Sequence, residues 1–63
     1  MAKWIPYKKF ILTWTDGRKN EELTFFSIYK LGSHNLKANA ENTLRRRFPK
    51  SWEKKTITEI RHA

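Results

Sequence analysis

Asp16 and Gly17 divide the first half of this chain into two runs rich in aromatic and β-branched residues, and that pair constrains the fold more than any other local feature. Asp-Gly tolerates the positive φ values that a tight hairpin demands. The run before it, Tyr7 to Thr15, sets Phe10, Leu12 and Trp14 on one parity and Tyr7, Ile11, Thr13 and Thr15 on the other, which is the chemistry of a strand. The run after it, from about Glu22 to Tyr29, carries Leu23, Phe25, Phe26, Ile28 and Tyr29. Neither parity of that second strand is cleanly polar, so both of its faces are expected to be partly covered.

Gly32 closes the second strand, and Ser33 and Asn35 are good N-cap residues for a helix expected from about Leu36 to Phe48. Leu36, Ala40, Leu44 and Phe48 recur at intervals of four and stack along one helix face, with Lys37, Glu41 and Arg45 opposite. Pro49 ends the helix. Thr56 to Arg61 reads as a third strand, because Thr56, Ile57, Thr58 and Ile60 are poor helix formers. Ile57 and Ile60 fall on opposite parities, which a bulge or a half-buried edge reconciles. The expected fold is α+β, a three-stranded antiparallel sheet with one helix packed on one face in β-β-α-β order, since that layering buries the apolar stripe with the least chain. Residues 1–6 read as an N-terminal arm, Pro6 interrupting regular pairing, with Trp4 and Ile5 either tucked against the core or exposed as a contact site.

At 63 residues the chain makes one domain, and a core this small buries only about 60% of the unfolded surface, which argues against a deep catalytic pocket. Cysteine is absent, so neither a disulfide nor a thiolate zinc site can staple the fold. Packing must suffice, and Trp, Tyr and Phe, 14% of the residues, supply large buried areas for it. No apolar run approaches the ~20 residues of a membrane span, and Lys8 and Lys9 break any signal-peptide core. A cytoplasmic protein with no membrane partner is expected.

Charge narrows the function. Fourteen Lys and Arg against six Asp and Glu give a net charge of +8 and a pI near 10.2. Such a chain attracts polyanions, of which nucleic acid is the commonest inside a cell. Between Arg45 and Lys55 six cations, Arg45, Arg46, Arg47, Lys50, Lys54 and Lys55, face a single acid, Glu53. They are candidates for contacts to successive phosphates, although a solvated helix end complementing its dipole has the same composition. Trp52 lies within the patch, where its indole either stacks on a base or closes the core. Arg18 and Lys19 at the hairpin tip, with Lys8 and Lys9 flanking the first strand, form a second basic group; such a ribbon fits a major groove, and equally serves solubility.

On the sheet face away from the helix, whichever of Tyr7, Ile11, Phe26 and Ile28 fall there make a platform for single-stranded RNA, for dimerisation or for a protein partner. Catalysis has little to work with. Glu21 and Glu22, as strand neighbours, point to opposite faces, His34 belongs to a helix start, and His34 and His62 have no third metal ligand at recognisable spacing. The expectation is a non-enzymatic binder of DNA or RNA with no cofactor or metal. Its alternative is a protein-interaction module, a small inhibitor or accessory subunit of the kind phages and mobile elements encode, docking on an acidic surface.

Overall fold

The computed structural model describes residues 6–63, so the expectation for Trp4 and Ile5 lies outside the described residues. Over residues 6–63 the chain forms β1 (Lys8–Thr15), β2 (Asn20–Ser27), α1 (His34–Arg47), a 3-10 turn (Trp52–Lys54) and β3 (Thr56–His62). β1 is the central strand of a β2-β1-β3 sheet, antiparallel to both neighbours. The α+β architecture in β-β-α-β order is the one the sequence pattern implies.

Alternation along β1 places Phe10, Leu12 and Trp14 in the core, where they meet Phe25 from β2 and Leu36, Ala40 and Leu44 from α1. Leu23, Phe48, Trp52, Ile57 and Ile60 close its margins as half-buried side chains. Phe10 stacks between Phe25 and His62, with ring centroids 5.6 and 4.8 Å away. The helix stripe therefore has the expected phase, and Lys37, Glu41 and Arg45 face water.

Three of the boundaries that differ from the sequence pattern have identifiable causes. α1 starts at His34 because Ser33 is its N-cap: the Ser33 hydroxyl accepts from the Leu36 N–H at 3.1 Å and donates to the Lys30 carbonyl at 2.8 Å. It stops at Arg47, since Phe48 precedes Pro49 and takes φ −129°, ψ 68° outside the helical region. β2 runs Asn20–Ser27 instead of reaching Tyr29. Buried Ser27 donates to Asn39 Oδ1 at 2.7 Å and accepts from the Tyr29 N–H at 3.3 Å, which turns the chain out of the sheet. Nor are both faces of β2 covered: the helix takes one face, and Phe26 on the other is 62% exposed.

β3 resolves its conflict of parity with a bulge. Thr13 pairs with Glu59 but Trp14 with Ile57, so Thr58 is the extra residue, its hydroxyl donating to the Thr13 carbonyl at 3.3 Å. Ile57 and Ile60 thereby both turn toward the helix side, beside Trp14 and Leu12.

Truncating Leu44, which is buried in this core, leaves a cavity between α1 and β1. Leu44→Ala is expected to lower the unfolding free energy by ~2 to 5 kcal/mol in urea melts. Glu41→Ala on the exposed helix face should stay within about 0.5 kcal/mol of the parent.

Candidate nucleic-acid interface

The basic segments that are far apart in sequence meet because Trp14 holds three elements together. Its indole packs edge-on against Phe48, the C-cap of α1, at 5.3 Å between centroids. Lys55 reaches back over both rings, its Nζ 4.8 Å from the Trp14 centroid and 4.5 Å from that of Phe48. One residue on, Thr56 pairs with Thr15, the last residue before the hairpin loop. The hairpin tip, the last turn of α1 and the loop through the 3-10 turn accordingly emerge at the same end of the sheet.

The tip is built to hold its shape. Asp16, Gly17, Arg18 and Lys19 link the closing Thr15–Asn20 pair, with Gly17 at φ +94°. Asp16 Oδ1 accepts from the Arg18 and Lys19 N–H groups at 2.9 and 3.1 Å, while the Thr15 hydroxyl accepts from the Gly17 N–H and donates to the Lys19 carbonyl. Those backbone donors hold the Asp16 carboxyl below the ordinary aspartate value of 3.8. Lys19 pairs with Glu21 at 3.0 Å, a hydrogen-bonded contact that favours its ammonium form.

Eight of the fourteen Lys and Arg residues, Arg18, Lys19, Arg45, Arg46, Arg47, Lys50, Lys54 and Lys55, belong to this end, against Asp16, Glu21 and Glu53. That leaves it a net +5 of the chain's +8. The eight are not equivalent. Lys55 is engaged with the aromatic pair and donates to Ser51 Oγ at 3.0 Å. Arg45 lies over the Trp52 ring at 4.4 Å, and that half-buried ring packs on the core margin. Arg18, Arg46, Arg47, Lys50 and Lys54 are exposed and have no ion-pair partner among the described residues. Arg46 and Arg47 also border a shallow groove of about 360 Å³ beside Leu23, Thr24 and Thr43.

No family model, curated protein or solved structure matches this chain.

Lys8 and Lys9 do not join the cluster. They sit at the opposite end of β1, paired with Ser27 and Phe26, a strand length of roughly 25 Å from the hairpin tip at ~3.3 Å per residue. The open sheet face is divided too. Ile11 and Phe26 lie toward the Lys9 end, and Tyr7 and Ile28 are exposed just beyond it. Nearer the hairpin, Arg61 bonds Glu22, Glu59 Oε1 at 3.2 Å and Thr13 Oγ1 at 3.2 Å. Sequence reasoning did not reach the structural work of Lys55, and its one available signal was position, a lysine directly before the third strand. Among the described residues no group of three His, Cys, Asp or Glu side chains is placed to hold a metal ion, and no helix is long and apolar enough to cross a membrane.

Two measurements check this construction. Replacing Lys55 with Met removes a cation held over two rings and should destabilise by ~1 kcal/mol, whereas Lys54→Met should be near neutral. Because the Asp16 pKa is depressed in the folded state, the order it confers on the tip is complete at neutral pH and is lost as pH falls through that depressed value. The Gly17, Arg18 and Lys19 amide signals in NMR should follow this transition, with a midpoint below 3.8, and Asp16→Asn should abolish it.

Proposed function

We propose that this protein binds nucleic acid through the basic end formed by the hairpin tip, the last turn of α1 and the 3-10 loop, gripping the phosphate backbone without reading bases. The observation that carries the reading is the convergence of separate basic segments on one end with a net charge of +5. Arg46, Arg47, Lys50, Lys54 and Arg18 make the phosphate contacts, and Arg45 and Lys55 hold the aromatic scaffold beneath them. Phosphate contacts fix position and carry no sequence information, whereas base readout needs side chains aimed at groove edges. A cation cluster around an indole that packs on the core margin and lies under Arg45 fits the first task better than base stacking.

In this reading the protein is a binder, not a catalyst, acting in the cytoplasm without metal or cofactor. The carboxylates that would serve acid–base chemistry are committed elsewhere: Glu21 to Lys19 and Glu22 to Arg61. His62 is stacked on Phe10, and His34 stands in the first turn of α1. Lys8 and Lys9 are left out of the phosphate contacts by their distance from the basic end.

A salt series on duplex DNA tests this. Changing Arg46, Arg47 and Lys50 together to Ala spares both the core stripe and the Arg45–Trp52 contact, so the fold should survive. If each of the three neutralises one phosphate, affinity should fall alike for every duplex sequence and the slope of log K against log salt should flatten by about 3 units. A folded triple variant with unchanged affinity and slope would remove this end from the mechanism.

A further inference from the structure

The second half of the helix and the 3-10 turn cover the sheet only at its basic end. Trp52 closes the margin there, beside Phe48. Toward the helix N-terminus a groove of about 400 Å³ remains between α1 and β3, floored by Leu31, Leu36, Ile57 and Ile60. The two isoleucines reach it from opposite parities only because the Thr58 bulge turns both inward, and they remain half-buried. Bulges of this kind recur beside binding sites, where they re-aim a side chain.

β3 is also an edge strand, paired with β1 on one side and with no other strand among the described residues. Apolar holes beside a strand edge are the two halves of recognition by strand addition: backbone hydrogen bonds along the edge, and alternate side chains dropping into the groove. The rim supplies a third element. Lys37 and His34 border the groove, and Lys37 is exposed with no ion-pair partner among the described residues. Glu59, the one acid along the lining, is drawn to Arg61 at 3.2 Å. With Glu59 so engaged, Lys37 is the open charge on the rim, which favours an acidic occupant and disfavours a basic one.

From these three features we infer that the groove between α1 and β3 is a docking site for an extended, acidic segment of a partner protein, which adds to the edge of β3 left unpaired among the described residues and seats alternate aliphatic side chains against Leu31, Ile57 and Ile60. Its lining includes none of the eight cations of the basic end, and the inference does not depend on the nucleic-acid reading.

Titration of the ¹⁵N-labelled protein with a short blocked peptide of alternating Glu and Val is the test. The expected result is saturable shifts at Lys37 and Thr58 to His62, with slowed hydrogen exchange along β3. A peptide of the same length and charge with Ser for Val should bind much more weakly, as should one with Lys for Glu. Lys37→Glu, on the exposed helix face where folding is not at issue, should weaken the Glu-Val peptide several-fold; Ile60→Ala should do so through the groove floor. Equal binding of the Glu-Ser peptide would reduce the effect to bulk charge and overturn the inference. Shifts confined to Arg45–Lys55, unchanged affinity in Lys37→Glu, or absence of binding would overturn it as well.

Discussion

Trp14 is the contact on which the arrangement of charge depends. It is the last inward residue of β1, it is only 3% exposed, and its ring meets Phe48 from the end of α1 and Lys55 from the entry to β3. A chain without cysteine has to fix its loops by packing, and here one indole fixes a helix terminus and a loop against the hairpin end. The cost of gathering like charges is moderated by the same cluster. Lys55 lies over two ring faces and Arg45 over Trp52, so two of the cations are held by aromatic quadrupoles close to the apolar margin. The remaining cations stand in water, where screening weakens their mutual repulsion.

How much of this was legible in the sequence follows from how local each determinant is. The Asp16-Gly17 turn, the four-residue recurrence from Leu36 to Phe48 and the stop at Pro49 are written into short windows, and each has its counterpart in the fold. The opposed parities of Ile57 and Ile60 pointed to a bulge or a half-buried edge. Both are present, but only the pairing of Trp14 with Ile57 and Thr13 with Glu59 puts the extra residue at Thr58. The end of β2 was out of reach because Ser27 leaves the sheet through a bond to Asn39, twelve residues away on the helix. The expectation that both faces of β2 are partly covered failed for a related reason: a single helix covers one side of the sheet, and Phe26 lies on the open side, among the residues named for an exposed face.

The candidate site divides along the same line. Composition was enough to mark Arg45 to Lys55 as the densest charge, and the hairpin tip as a second basic group. Which cations are free and which are structural is a tertiary fact. Arg45 and Arg46 are neighbours in sequence, yet the helical turn points one across Trp52 and the other toward the groove beside Leu23. Likewise Lys54 ends the 3-10 turn in solvent while Lys55, one residue on, folds back over the core. Lys8 and Lys9 were grouped with the tip by charge alone, and the antiparallel hairpin carries them to its far end.

The two proposed surfaces lie at different places along one helix, and this has a mechanical consequence. α1 presents its C-terminal turn, with three arginines, to the basic end, and its N-terminal turns, with Leu36 and Lys37, to the β3 groove. Between them Leu36, Ala40 and Leu44 are buried on the sheet, so the helix cannot shift at one end without disturbing a close-packed core. Occupancy of one surface therefore has no soft element through which to reshape the other. Any influence between them would be electrostatic: an acidic segment at Lys37 would lower the positive potential felt by a polyanion at Arg46 and Arg47. That influence weakens with separation and with salt, since charges further apart than about 8 to 10 Å are largely screened at physiological ionic strength. Rigid packing and screening together would make binding at the two proposed surfaces additive, without a switch between them.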